Sequence, residues 1–193
     1  MSVITLEKNM LREHYRSMRR KMTTPYKRNL DIEIASRVLT SDEYINSELL
    51  LIYCATEEEI ETRHIIRAAL LNKKRVALPR CEGDGIMRFY EIKSLSELER
   101  GRFRGILEPP AHESRLVKSF DKALCIVPAL SYDPKGQRLG MGGGYYDRFL
   151  RNFDGISAGL CYSSFIKWDI PRENHDMAVD VLITEGYVRK IGN

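Results

Sequence analysis

The stretch Ala123–Arg148, ALCIVPALSYDPKGQRLGMGGGYYDR, decides the fold. Its opening, Ala123 to Leu130, is almost wholly apolar and too short for a core helix, so it reads as a strand buried on both faces. Asp133-Pro134-Lys135-Gly136 reads as a turn. Gly140, Gly142, Gly143 and Gly144 then remove nearly every side chain from a short segment, and a helix is predicted to start near Tyr145. Backbone N–H groups in such a loop can converge on an anion, and the helix N-terminus adds partial positive charge. Arg138 supplies a full charge in a planar fork suited to phosphate oxygens. The pattern is neither common phosphate fingerprint: Tyr145 stands where GxGxxG needs its third glycine, and no Gly-Lys-Ser/Thr follows for a Walker A loop. A flexible connector would use glycine equally well, but it would not need Arg138, Asp147 and Arg148 around it.

Outward from this stretch, apolar strand-length runs alternate with helical patterns. A first helix capped by Thr5 is predicted to reach Lys21, with Leu11, Tyr15, Met18 and Met22 on one face. A second is predicted from Pro25 to Leu39. Strands are expected at Leu49–Cys54, Arg75–Pro79, Met87–Ile92, Ile156–Tyr162 and Val179–Thr184. Thr62 is placed to cap a helix carrying Ile65, Ile66, Ala69 and Leu70, and Ser94-Leu95-Ser96-Glu97 has capping-box spacing for a short one. Such alternation predicts an α/β fold: a three-layer α/β/α sandwich around a largely parallel sheet, as one domain over 1–193. Ligands in such sheets bind beyond the carboxyl ends of the strands, which is where the glycine loop falls.

Composition narrows the class. The 193 residues are 43% hydrophobic and 30% charged, with a net charge of +4, and no apolar run is long enough to span a bilayer. No targeting segment is evident, so the cytosol is the expected compartment. Cys54, Cys81, Cys125 and Cys161 lie far apart without CxxC spacing, so reduced, mostly buried thiols are expected rather than zinc or redox chemistry. Much of the positive charge falls between Lys8 and Arg28, against the single acid Glu13. Lys8, Arg12, Arg16 and Arg19 recur at helical steps and form a cationic stripe able to meet a polyphosphate at several points. A merely solvated helix face would look the same.

Two acidic segments complete the inventory. Asp147 follows the glycines; there it would favour a helix dipole, or ligate Mg²⁺ beside phosphates. Asn174-His175-Asp176 offers a second carboxylate, so Asp147 and Asp176 form the candidate metal pair. The run Glu57-Glu58-Glu59-Ile60-Glu61-Thr62 follows a strand. A carboxylate there could bond a donor-rich ring such as a pterin, or simply be solvated. His14, His64, His112 and His175 show no metal spacing and receive no catalytic role.

These pieces together resemble the 5-formyltetrahydrofolate cyclo-ligase (5,10-methenyltetrahydrofolate synthetase) family. The likeness runs from Lys8-x-x-x-Arg12, through Glu59-Ile60-Glu61-Thr62 and RLGMGGGYYDR, to Ile170-Pro171-x-x-x-His175-Asp176-x-x-Val179-Asp180. It implies a fold shared with ribose-phosphate isomerase and CoA-transferase-like proteins. It implies ATP- and Mg²⁺-dependent conversion of 5-formyltetrahydrofolate, mono- or polyglutamylated, to 5,10-methenyltetrahydrofolate, with ADP and phosphate released. On this resemblance ATP is contacted by Lys8, Arg12, Arg138, Leu139, Gly140, Met141, Gly142, Gly143, Gly144, Tyr145 and Tyr146. The folate is contacted by Cys54, Glu59 and the Met141–Tyr145 segment, and Mg²⁺ is held by Asp147 and Asp176. Tyr145, placed near N10, and Arg138 are the expected catalytic residues. Met141 and Gly143 stand where some relatives carry a basic residue, which shifts phosphate contacts toward Arg138 and Lys8. No nucleic-acid, membrane or obligate protein partner is expected.

Two other readings are weaker. A different ATP or sugar-phosphate enzyme on this fold would leave Glu59 and His175-Asp176 without a purpose. A non-catalytic folate or RNA binder would not need both aspartates, and RNA recognition would want aromatics along the basic stripe, where only Tyr15 qualifies.

Overall fold

The computed structural model describes residues 2–83, 85–101 and 106–192. Its helices are α1 (Val3–Lys21), α2 (Thr24–Thr40), α3 (Asp42–Asn46), α4 (Arg63–Leu71) and α5 (Tyr145–Leu150). Its strands are β1 (Leu49–Leu51), β2 (Arg75–Gly83), β3 (Ile86–Ile92), β4 (Glu99–Arg100), β5 (Leu107–Glu108), β6 (Ala123–Val127), β7 (Ser131–Tyr132), β8 (Arg138–Leu139), β9 (Ile156–Leu160), β10 (Val181–Ile183) and β11 (Val188–Lys190).

Seven strands form one sheet in the order β11-β10-β9-β6-β1-β2-β3. The interior pairs β10–β9, β9–β6, β6–β1 and β1–β2 are parallel, while the edge strands β3 and β11 run antiparallel to their neighbours. Strands β1, β6 and β10 are buried at every residue, as expected where both faces of a parallel sheet are covered. Helix α4 packs on β2, α2 on β10 and α5 on β3. The chain moves from β1 outward to β2 but later enters β6 and β9 on the other side of β1. The order therefore reverses between β1 and β6. A crevice at the carboxyl ends of these two strands is where an open α/β sheet accommodates a ligand.

Several boundaries differ from expectation, each for a local reason. Ser2, not Thr5, caps α1: its Oγ accepts from the Thr5 N–H at 3.1 Å. The apolar face holds, with Tyr15 buried and Leu11, Met18 and Met22 packed on the core. Thr62 stands at the start of α4, but its hydroxyl donates to Tyr53 O and accepts from Ala55 N–H rather than capping the helix. Ser94 starts only a single 3₁₀ turn. Strand β6 stops at Val127 because Pro128 has no N–H for the ladder. The Asp133 turn closes a small hairpin, β7–β8, with Asp133 Oδ1 accepting from the N–H groups of Lys135 and Gln137. The Leu130 N–H bonds Leu139 O at 2.8 Å, so the hairpin returns the chain to the end of β6. That return brings the glycine loop to the switch point.

Candidate active site

A cavity of about 370 Å³ opens at this crevice. The β1 side contributes Cys54 and Glu59, and the β6 side contributes Pro128, Arg138 and the loop from Gly140 to Tyr146. Helix α1 crosses the mouth and adds Lys8 and Arg12, while the segment before β10 adds Glu173, His175 and Asp176. Lys8 and Arg12 thus lie on the same side of the molecule as the glycines, although the opening helix and the loop are far apart in sequence.

Each cation has a defined seat. Arg12 Nε donates to Gly140 O at 2.8 Å, and its Nη1 donates to Asn9 Oδ1 at 2.6 Å. Burial, reinforced by the neighbouring charge of Arg16, lowers the Arg12 pKa from its usual value, with Asp176, Glu173 and Asp147 opposing. Lys8 is buried and its ammonium contacts Asp176 at 2.5 Å and Glu173 at 3.0 Å. Arg138 is buried too, donating from Nη1 to Met177 O and pairing through Nη2 with Asp147 at 2.9 Å. Asp147 Oδ1 also accepts the Met177 N–H at 3.1 Å. Arg16 lies beside Met141, but Arg19 turns inward and donates to the carbonyls of Ala129, Leu130 and Glu58. The fourth member of the cationic stripe therefore supports the strand end instead of lining the cavity.

The loop conformation explains its composition. Gly142 has φ +101° and Gly144, which precedes α5, has φ +65°. Side chains rarely adopt either conformation. Among the described residues, the loop's own hydrogen bonds run through the carbonyls of Gly140, Gly143 and Gly144. Helix α5 has only 6 residues. The loop and the three cations are therefore a stronger attraction for an anion than any helix dipole.

The acidic residues divide sharply. Glu59 Oε2 accepts from both the N–H and the hydroxyl of Thr56 at 2.9 Å, which holds its carboxylate on the cavity wall. Glu58 pairs with Arg20, and Glu61 binds the backbone and side chain of Arg63. Asp147 and Asp176 both line the cavity, each already countered by its own cation. Asp176 clusters with Glu173 and His175, with one ligand atom from each within 4.8 Å of the others. Glu173 and His175 were missed from the sequence. The spacing Glu173-x-His175-Asp176 was visible, but nothing in it located the three near Lys8. Asp180 is not part of this group; it accepts from the N–H and hydroxyl of Ser157 and latches β9 to the chain entering β10.

Tyr145 and Tyr146 take different positions. Tyr145 lines the cavity beneath the Arg148 guanidinium, 5.3 Å from its ring centre. The Tyr146 hydroxyl is buried and has no hydrogen-bond partner among the described residues. Burial pushes its pKa well up, with Cys125, Glu59 and Tyr53 adding to the effect. Burial likewise raises the pKa of the Cys54 thiol, against the nearby charge of Arg63, which makes it a neutral wall rather than a nucleophile. All four cysteines are free thiols.

A switch-point cavity with cations, carboxylates and a glycine loop on its wall marks the site of an α/β enzyme, with charges suited to an anionic ligand. The sequence profile of the 5-formyltetrahydrofolate cyclo-ligase family matches residues 4–185, and the chain belongs to that family. It is 28% identical to a probable 5-formyltetrahydrofolate cyclo-ligase of Schizosaccharomyces pombe, covering 97% of this chain and 100% of that protein. It is 25% identical to the 5-formyltetrahydrofolate cyclo-ligase of Haemophilus influenzae, over 93% and 98% of the two chains. The solved 5,10-methenyltetrahydrofolate synthetase of Aquifex aeolicus superposes with a TM-score of 0.85 at 32% identity, over 96% of this chain and 93% of that one. No helix among the described residues is long and apolar enough to cross a membrane.

Proposed function

We propose that the chain closes 5-formyltetrahydrofolate to 5,10-methenyltetrahydrofolate at the expense of ATP, with Mg²⁺, releasing ADP and phosphate. One observation carries this reading: the buried cations Lys8 and Arg138, with Arg12, share a cavity with the glycine loop and with Glu59. The cations and the glycine loop suit a polyphosphate, and the Glu59 carboxylate suits a donor-rich ring.

The chemistry follows from a poor leaving group. A formamide oxygen does not depart unaided, so the γ-phosphoryl group moves onto it as the bond to ADP breaks. N10 then attacks the formyl carbon, the carbon–oxygen bond to phosphate breaks, and N10 loses its proton. Such a transfer needs positioning and charge neutralisation more than a covalent nucleophile. That fits a site whose thiol, Cys54, is held neutral. Lys8, Arg12, Arg138 and the segment Leu139–Tyr146 hold the nucleotide. Cys54, Glu59 and Met141–Tyr145 hold the folate, with the Glu59 carboxylate accepting from the pterin's N–H donors. Tyr145 stands between the two and serves N10.

Asp147 and Asp176 both offer hard carboxylate oxygens to the cavity, and this donor chemistry suits Mg²⁺. When bound, Mg²⁺ supplies neutralisation of phosphate charge. The test is direct: purified protein with 5-formyltetrahydrofolate, ATP and Mg²⁺ should develop the near-ultraviolet absorbance of the methenyl product. A folded protein that gives no signal would reduce the reading to binding alone.

A further inference from the structure

The reaction proposed above uses Lys8 and Arg12 of the α1 stripe and leaves Arg19 without a part in it. Arg19 is buried, and its partners are carbonyl oxygens from two separate segments. Nη1 donates to Glu58 O at 3.0 Å, while Nη2 donates to Ala129 O at 2.5 Å and to Leu130 O at 3.3 Å. The Phe165 ring centre lies 5.9 Å from the guanidinium carbon, and the Nε–H is buried with no partner among the described residues. A desolvated charge with one donor unpaired is a poor device for stability alone.

Each segment leads to one part of the cavity. Glu58 immediately precedes Glu59, whose carboxylate is held on the cavity wall by Thr56. Arg20 pairs with the Glu58 carboxylate at 3.2 Å, so α1 holds Glu58 by main chain and side chain together. The Leu130 N–H bonds Leu139 O, between Arg138 and the first loop glycine. Two to three turns earlier on the same helix, about 10–17 Å away by helical rise, Lys8 and Arg12 line the cavity, and Arg12 holds Gly140 O at 2.8 Å. Helix α1 is continuous over Val3–Lys21, so it forms a stiff link between those cations and the Glu59 loop. Phosphate drawn onto Lys8 and Arg12 would fix the seat of α1, and Arg19 would pass that seat to Glu58 and so to Glu59.

We infer that Arg19 is a positioning residue that couples the two substrates, so that nucleotide and folate each bind more tightly in the other's presence. The identity of the two ligands rests on the reaction proposed above. Linkage requires the same factor in both directions.

The experiment is calorimetry with the β,γ-imido analogue of ATP plus Mg²⁺ and with 5-formyltetrahydrofolate, each titrated alone and against the protein saturated with the other. No turnover occurs, so binding is read by itself. In the wild type each ligand should strengthen the other about tenfold. Arg19→Met should bring that factor to about one while changing the affinity for the nucleotide analogue alone by less than about twofold. In turnover its KM for the folate should rise about tenfold with kcat much less affected. Arg19→Lys keeps the charge on a compact ammonium that cannot span three carbonyls; it should retain about threefold coupling, and it carries the test if Arg19→Met does not fold. Arg37→Met removes a similar guanidinium–carbonyl bond, to Glu185 O from α2, and should lower stability without altering the coupling. Independent binding in the wild type overturns the inference, as does undiminished coupling in the Arg19 variants or an equal loss in Arg37→Met. None of these results touches the ring-closure reading, whereas absent methenyl product with the coupling as expected overturns that reading alone.

Discussion

Lys8 Nζ lies 2.5 Å from Asp176 Oδ2, so a cation from the opening helix and a carboxylate from the segment before β10 neutralise each other across the cavity. Burial alone would raise the Asp176 pKa. The Glu173 N–H and the hydrogen bond and charge of Lys8 outweigh it and hold the carboxyl below its usual range. Arg138 and Asp147 form a second such pair at 2.9 Å. Lys8 and a divalent ion would therefore compete for one carboxylate until phosphate draws the lysine away. Mg²⁺ alone should bind the wild type weakly, and Lys8→Met should bind it more tightly without nucleotide while turnover falls about 10²–10³-fold. Calorimetry of Mg²⁺ with and without ATP checks this; tight Mg²⁺ binding to the nucleotide-free wild type would contradict it.

Gly144 sets the turn into α5 at φ +65°, and a Cβ there would stand 2.8 Å from Arg148 Nη1. Gly144→Ala should cost about 1–2 kcal/mol of stability through the left-handed backbone. Thermal or denaturant unfolding would show the loss, and the KM for ATP should rise more than the KM for folate. A variant as stable as the wild type with unchanged KM values would mean the loop tolerates a side chain.

Tyr145 lies in the segment proposed to hold both substrates, and its hydroxyl is proposed to serve N10. Tyr145→Phe keeps the ring beneath Arg148 and removes only the hydroxyl. Its kcat should fall about 10²-fold with the KM for ATP little changed, the range for a lost proton-transfer partner. Steady-state kinetics on both substrates decide it, and an undiminished kcat would end the assignment.

Burial raises the pKa of Cys161 to about 12 and that of Cys125 further still. Both thiols stay protonated in the folded chain above the pH at which they ionise when unfolded. The folded state then holds more protons, so stability is complete below pH 9 and falls as pH rises beyond it. The slope should approach about 1.4 kcal/mol per pH unit for each thiol. Urea unfolding at pH 8, 9 and 10 measures this; a flat profile would show the thiols ionising equally in both states.

The interior of the fold was legible because β1, β6 and β10 are apolar throughout, and such runs state their burial openly. Strands β4, β5, β7, β8 and β11 were not predicted, since two or three residues of mixed polarity carry no periodicity. The helical spacing of Lys8, Arg12, Arg16 and Arg19 foretold a common face. It could not say that Arg19, deeper along α1, would meet strand-end carbonyls while Lys8 met Asp176. Composition and spacing did not separate Glu59 from Glu58 and Glu61; the family resemblance picked it out, and the Thr56 contacts hold it on the cavity wall. Asp147 and Asp176 were legible as carboxylates but not as separately countered ones, because distance along the chain says nothing of which cation each will find.

Oxygen tracing from 5-formyltetrahydrofolate labelled with ¹⁸O in the formyl group tests the central chemistry most directly. If ATP phosphorylates that oxygen, one label should appear in each phosphate released, as mass spectrometry would show. Label found instead in water or retained in the folate would contradict the account.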